Sequence, residues 1–114
     1  MVYDTARQLA QEIAESREYK DYKQAKEKAT ANETTAGLLK QYHQLQLRAQ
    51  AVQLGGEKDD ALLQQLQKLG EVLLLNQEAS AFLLQEFRLN QMVGDVYKIL
   101  AQAIEVDLGI LEEA

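Results

Sequence analysis

The sequence predicts an all-α protein with about five helices, which form long antiparallel pairs and end in an extended C-terminal helix. Three observations predict this fold. The 114 residues include no proline, which interrupts helices by removing a hydrogen-bond donor and clashing with the preceding turn. Glutamine, leucine, alanine, glutamate and lysine dominate, and these residues lose little entropy in a helix. Apolar residues also recur every three or four positions.

The first two helices are predicted from their caps. The first runs from about Asp4 to Glu15, with Asp4 as its cap. Ser16 is expected to cap the second helix, and Asn32 marks the next break because asparagine favours caps over helix interiors. The apolar positions at helical spacing are Ala6, Leu9, Ala10 and Ile13 in the first helix and Tyr19, Tyr22, Ala25 and Ala29 in the second.

The third and fourth helices carry heptad patterns. The third is predicted over residues 33–54, and the Gly55–Gly56 pair ends it because two glycines strongly disfavour a continuing helix. Asp59 and Asp60 can accept hydrogen bonds from the free backbone amides at the start of a fourth helix, which ends near Asn76. The heptad positions are Leu38, Tyr42, Leu45, Ala49 and Val52 in the third helix and Leu62, Leu66, Leu69 and Leu73 in the fourth.

The last helix is the longest, from about Gln77 to Val106 with fraying expected beyond Gly109. One stripe follows Phe82, Glu86, Leu89, Val93, Val96, Leu100 and Ala103, and a second follows Leu83, Phe87, Asn90, Gly94, Tyr97, Ala101 and Ile104. A helix of roughly 30 residues is about 45 Å long, whereas a compact globule of this chain length is about 34 Å across. The helix should extend beyond its own domain, which predicts a helical-bundle dimer or a mixed complex.

The centre of the predicted interface is the segment from Asn90 to Tyr97. Asn90 is followed one turn later by Gly94, and neither suits a plain hydrophobic core. The missing side chain at Gly94 lets another backbone approach, and Asn90 can set the register across the contact. The alternative is that Gly94 packs against the third helix of its own chain. The candidate partner or dimer interface comprises Leu83, Phe87, Asn90, Val93, Gly94, Tyr97, Leu100 and Ile104.

No constellation of residues points to catalysis. The chain has no cysteine, which excludes disulfides and thiolate metal sites within it. His43 is its one histidine, so no multi-histidine metal site exists, and we interpret His43 as an ordinary residue beside the apolar stripe of the third helix. The adjacent carboxylates at 59–60 and 112–113 are interpreted as solvated charges. We therefore expect no catalytic residue, no metal, no cofactor and no enzymatic activity.

Charge and hydropathy restrict the partners. The net charge of −6 disfavours nucleic acids and anionic membranes, both of which attract positive surfaces. No segment has the pattern of a signal peptide, and no apolar run approaches the length of a membrane span. We expect a single domain over residues 1–114 that is cytoplasmic, contacts no nucleic acid directly and does not insert into membranes.

One local stretch is basic. Residues 17–28 contain five arginines and lysines, interleaved with Tyr19 and Tyr22. One interpretation is an RNA-contacting helix with stacking aromatic rings. Three acidic residues in the same stretch reduce its net charge to +2, and the tyrosines fall at core spacing. A solvated face with lysine stems lying over apolar surface is therefore favoured.

Four segments share their order and spacing with one known family. These are the opening Tyr3-Asp4 with Ala6, Leu9 and Ala10, the segment SREYKDY at 16–22, LLKQYHQLQ at 38–46, and EFRLNQMVGDVYKI at 86–99. In these segments the chain resembles the YlbF/YmcA family of small helical bacterial regulators. The resemblance covers about residues 3–104, and its most specific part is the last segment.

The resemblance implies an all-α protein that dimerises or mixes with paralogues. It also implies a role in competence, sporulation and biofilm control, within a complex that directs the endoribonuclease RNase Y in mRNA processing. Some members are linked to iron–sulfur clusters through cysteines, which this chain lacks, and Phe87 stands where relatives usually carry a polar residue. The leading hypothesis is a non-enzymatic regulatory adaptor. The alternative is a structural or chaperone-like dimer that binds peptides or unfolded clients.

Overall fold

The computed structural model describes residues 1–104, which form five α-helices and no strand. The helices are α1 (Val2–Ala14), α2 (Arg17–Thr30), α3 (Glu33–Leu54), α4 (Asp60–Leu75) and α5 (Gln77–Ala103). The all-α prediction is confirmed, and so are the four predicted breaks near Ser16, Asn32, Gly55–Gly56 and Asn76.

Side-chain caps explain why the helices begin where they do. The side chains of Ser16, Asn32, Asp59 and Asn76 each accept a hydrogen bond from the backbone N–H three residues further on, at 3.0–3.2 Å. Each bond satisfies an amide that has no partner within its own helix. Between α3 and α4, Gly56 adopts a φ of 74°, a conformation that glycine reaches without steric cost. The capping residues in the sequence therefore act on amides only three residues away and define where these four helices begin.

Two boundaries differ from the prediction. The first helix begins at Val2, two residues before the expected cap, and Asp4 lies inside its first turn. There Asp4 accepts a hydrogen bond from Arg7 at 3.3 Å instead of capping an amide. The first amides of α1 need no side-chain cap because the start of this helix is open to solvent. At the other end α5 is helical to Ala103 and Ile104 forms a turn, while residues 105 and 106 of the predicted helix lie outside the described residues.

The helices pack as two pairs, α2 with α5 and α3 with α4, and contacts of α4 with α5 and of α2 with α3 join the pairs. A small core forms at the junction. Its members are Ala29, Leu39, Leu73, Ala79 and Phe82, with the half-buried Tyr22, Ala25, Leu38, Tyr42, Leu69 and Leu83 around them. Helix α1 contacts α2 and buries none of its residues fully. All nine heptad positions predicted for α3 and α4 are buried or half-buried, as expected.

The protomer is thin and open. Its radius of gyration is 17.0 Å, against about 13 Å for a compact globule of this length. Its extents are 46 × 37 × 17 Å, so the shortest dimension is less than two helix diameters. The accessible surface is 9063 Å², whereas a compact 12.9 kDa protein exposes roughly 6,300 Å². A large share of this surface is therefore available for association.

Candidate functional site

The residues predicted to form the interface follow one side of α5, most of them uncovered. Phe87 is 65% exposed, Tyr97 58%, Leu100 55% and Ile104 72%. Val93 is 43% exposed. Of the other three, Asn90 is exposed, while Leu83 and Gly94 are half-buried. The structure thus brings the predicted residues together as one continuous stripe of about six helical turns, which we call the α5 stripe.

Gly94 forms a notch in the middle of the α5 stripe. A Cβ atom added there would meet no atom within 4 Å, apart from the backbone of its own helix. The alternative interpretation, in which Gly94 packs against the third helix of its own chain, is therefore wrong. A glycine costs α5 up to about 1 kcal/mol relative to alanine, and among residues 1–104 no close contact requires it.

A cleft of about 440 Å³ adjoins the N-terminal part of the stripe. It lies between α5 and the α3–α4 pair, and it is lined by Tyr42, Gln46, Gln50, Gly70, Leu74, Leu83, Glu86, Phe87 and Asn90. Gly70 lies beside the ring of Tyr42, since a Cβ atom added there would be in ordinary van der Waals contact with it at 3.4 Å. Leu74, on the α4 side of the cleft, is 65% exposed. The cleft therefore extends the apolar surface of α5 sideways onto α4.

Sequence reasoning missed Leu74 as part of this surface. The run of three leucines at 73–75 offers one heptad position, Leu73, which is 1% exposed. The adjacent Leu74 is left on the flank of the helix, where α5 provides the opposite wall. The leucines in this run that do not occupy a heptad position were the signal in the sequence for additional apolar surface.

A hydrogen bond joins α3 to α5 beside the cleft. The Nε2 atom of His43 lies 3.0 Å from Oε1 of Glu86, and the two side chains are 35% and 24% exposed. The imidazole also packs edge-on against the ring of Phe82, with centroids 6.1 Å apart. His43 is therefore a link between helices, which its interpretation as an ordinary flanking residue missed. The carboxylate of Glu86, placed within an otherwise apolar stripe, was the signal for such a partner.

We expect the link between His43 and Glu86 to contribute about 1–2 kcal/mol to the free energy of unfolding, which is less than a fully buried hydrogen bond to a charged group because both side chains are partly exposed. His43→Ala and Glu86→Ala should each destabilise the protein. The double variant should cost less than the sum of the two, because the second substitution removes a partner already lost. Urea denaturation of the four proteins measures this coupling. Strictly additive losses would contradict an energetic link.

The matches to known proteins agree with this architecture. The model of the family described as control of competence regulator ComK, YlbF/YmcA, matches residues 2–105. The chain belongs to the YlbF/YmcA family. A UPF0342 protein of Desulfitobacterium hafniense is 38% identical over 104 residues, which cover 90% of this chain and 84% of that protein. A UPF0342 protein of Halothermothrix orenii is 34% identical over 112 residues, covering 97% and 93%.

Two solved structures share the fold of this YlbF/YmcA member. A protein of unknown function (DUF964) from Bacillus stearothermophilus superposes with a TM-score of 0.77 at 24% identity, covering 91% of this chain and 92% of that one. Bacillus subtilis RicA, solved in complex with RicF, gives a TM-score of 0.59 at 18% identity and covers 93% and 96%. At these identities the likeness concerns the helical fold.

The basic stretch of this family member is a solvated helix face. Lys20 and Lys23 are exposed, whereas Tyr22 packs on Phe82 with ring centroids 5.6 Å apart. Lys26 lies over the ring of Tyr22, with its Nζ atom 5.9 Å from the centroid. Because the ring of Tyr22 is engaged within the protein, it is not free to stack on a nucleic-acid base. The tyrosine spacing indicated this core role correctly.

Within residues 1–104, no group of three histidine, aspartate or glutamate side chains is placed to hold a metal ion. No helix in the same part of the chain is long and apolar enough to cross a membrane. The features that distinguish this surface are therefore its exposed apolar side chains, the notch at Gly94 and the adjoining cleft.

Proposed function

We propose that this YlbF/YmcA protein is a non-enzymatic regulatory adaptor, which acts in the cytoplasm by binding other proteins through the α5 stripe. The observation that carries the proposal is the uncovered row of large apolar residues on α5, including Phe87, Tyr97 and Leu100. Soluble proteins seldom expose contiguous apolar patches of this kind unless another surface covers them. The family's description, control of a competence regulator, supports a regulatory role.

The partners we propose are helical proteins of the same kind. A long apolar helix face is best covered by another helix, because ridges of side chains on one helix fit the grooves of the other. RicA, which shares this fold, was solved in complex with RicF, and this supports assembly with another protein. By resemblance to the family, the assembly would modulate RNase Y-dependent mRNA processing. This protein would then change the behaviour of the ribonuclease without touching RNA itself.

Gly94→Leu tests the proposal in an affinity capture from the native host. The substitution should leave the protomer folded, because the space around Gly94 is open and leucine favours a helix more than glycine does. It should nevertheless remove the captured partners, since its side chain fills the notch on which close helix approach depends. We expect the wild type to retain a few stoichiometric partners and the variant to lose most of them.

Gly37→Leu is the matched control. Gly37 also lies within a helix, and a Cβ there would meet no atom within 4 Å, but its position in α3 is outside the α5 stripe. This variant should capture the same partners as the wild type. Equal capture by the Gly94→Leu variant would place the regulatory surface elsewhere. A broad set of unrelated proteins captured by the wild type would instead favour the chaperone-like alternative.

A further inference from the structure

The cleft beside the α5 stripe is one end of a longer groove. A second cavity, of about 480 Å³, lies between the C-terminal part of α3 and the N-terminal part of α4. Gln46 and Gln50 line both cavities, so the two are continuous along α3. From Tyr42 at one end to Gln53 at the other, the groove follows about 17 Å of this helix. We call it the α3–α4 groove.

Glutamine side chains form the α3 wall of the groove. Gln46, Gln50 and Gln53 follow one another at intervals of four and three residues, so they share one face of the helix. Gln46 is half-buried, and the other two are exposed. The glutamine side chains that form hydrogen bonds within residues 1–104 are Gln11 and Gln67, each to a glutamate on its own helix. The three amides of the groove are therefore available to a ligand.

The α4 wall of the groove is apolar. Leu63, Leu66 and Leu74 lie along it. Leu66 is half-buried, whereas Leu63 is 52% exposed and Leu74 65%. A ligand in the groove would thus meet amides on one side and aliphatic side chains on the other.

The charged side chains that line the α3–α4 groove lie at its two ends. Glu57, Lys58 and Asp59 are at the loop end, and Glu86 is in the cleft. Asp59 caps α4, and Glu86 bonds to His43. The remaining two charges have opposite signs. The groove therefore favours an uncharged ligand.

An extended peptide matches both walls. Helix positions four residues apart are separated by about 6 Å along the axis, close to the two-residue repeat of about 6.6 Å in an extended chain. Each glutamine amide both donates and accepts, which suits the unpaired N–H and C=O groups along the edge of such a chain. A helical ligand has already paired these groups internally. Alternate side chains of the extended chain point to opposite faces, so one set can pack on the leucines of α4.

We propose that the α3–α4 groove binds an extended, uncharged, apolar segment of a partner protein, with Gln46, Gln50 and Gln53 hydrogen-bonded to its backbone. The groove accommodates about five residues, since an extended chain rises about 3.4 Å per residue. This goes beyond the proposed function, because it adds a second surface and a different kind of ligand. The groove is formed within one protomer, so this binding requires no second copy.

Fluorescence anisotropy with a labelled peptide tests the groove. The probe is a capped heptapeptide in which leucine alternates with threonine, so it is uncharged and has an apolar face when extended. Gln50→Met should weaken its binding about tenfold, because a backbone group of the bound probe loses its partner. Methionine offers more apolar surface than glutamine, so a ligand held by apolar contacts alone would bind the variant equally or more tightly. Either result would overturn the proposal.

Gln44→Met is the matched control. Gln44 is also an exposed glutamine of α3, but it lines a different cavity, together with Gln41, Arg48 and Gln65. This variant should bind the probe as the wild type does. Methionine and glutamine have similar helix propensities, so both variants should fold, which circular dichroism checks. A loss of binding as large as that of Gln50→Met would show that the groove is not the site.

A second probe tests recognition of the backbone. It has the same side chains, but every backbone nitrogen is methylated, so it has no N–H group to donate. The wild type should bind it at least about tenfold more weakly than the first probe. Equal binding of the two probes would overturn the proposal.

The two surfaces can be tested separately. Gly94 does not line the groove, so Gly94→Leu should bind the first probe as the wild type does, even though it loses the partners of the α5 stripe. A failed capture from the host would count against the proposed function and leave the groove unaffected. Conversely, a wild type that does not bind the first probe would overturn the groove as a peptide site and leave the α5 stripe unaffected.

Discussion

Replacing Phe82 with alanine should lower the free energy of unfolding by about 3–5 kcal/mol, as truncation of buried aromatic residues does. Phe82 is 3% exposed and lies in the core where the two helix pairs meet. Its ring is 5.6 Å from Tyr22 and 6.1 Å from His43, measured between centroids. Because the core is small, few neighbouring side chains can move to fill the space. Urea denaturation followed by circular dichroism measures the loss.

Phe87→Ala is the matched control on the same helix. Phe87 is 65% exposed, so its truncation should cost the isolated protomer less than about 1 kcal/mol. The same change should weaken binding of the proposed partners, because Phe87 is an exposed residue of the α5 stripe. Urea denaturation measures the first effect, and affinity capture from the native host measures the second. If Phe87→Ala destabilised the protein as much as Phe82→Ala, the cleft would be part of the core and not a binding surface.

Asn76→Ala should cost about 2–3 kcal/mol, because this side chain has two roles. Its Oδ1 atom accepts from the backbone N–H of Ala79 at 3.0 Å and caps α5, a role worth about 1 kcal/mol. Its Nδ2 atom donates to Oγ1 of Thr35 at 3.2 Å and joins the start of α3 to the α4–α5 corner. Thr35 is 5% exposed, so loss of the donor leaves a buried hydroxyl without this partner, at a cost of about 1–2 kcal/mol.

Asn32→Ala provides the comparison. Asn32 caps α3 by accepting from the N–H of Thr35 at 3.1 Å, but within residues 1–104 its side chain makes no hydrogen bond to another helix. We expect a loss of about 1 kcal/mol, typical of a removed cap. In a Thr35→Val background, the stability losses of the two asparagine variants should differ less, because the hydroxyl that accepts the hydrogen bond from Asn76 is gone. Equal losses for Asn32→Ala and Asn76→Ala would show that the bond to Thr35 contributes no stability.

The helices could be predicted from sequence because their signals are local. A cap such as Ser16 or Asn32 acts on an amide three residues away, and a heptad pattern lies within one helix. The predicted start of α1 at Asp4 is wrong. Asp4 is a residue type that often caps helices, but the exposed amides at this end can bond to water and need no cap. The composition of the α5 stripe was also visible in the sequence. The sequence did not show whether Gly94 packs against its own protomer or faces outwards.

The sequence by itself determined the helical fold, its breaks and the row of residues along α5, because each depends on neighbours within a few turns of one helix. Only the tertiary structure decided which apolar residues are core and which are surface. Phe82 and Phe87 have the same side chain on the same helix, yet one is 3% exposed and the other 65%. The pairing of His43 with Glu86 and the exposure of Leu74 likewise depend on how the helix pairs meet. The physical reason is that burial is set by the surface that another helix covers, and helical periodicity specifies only the face that is available for covering.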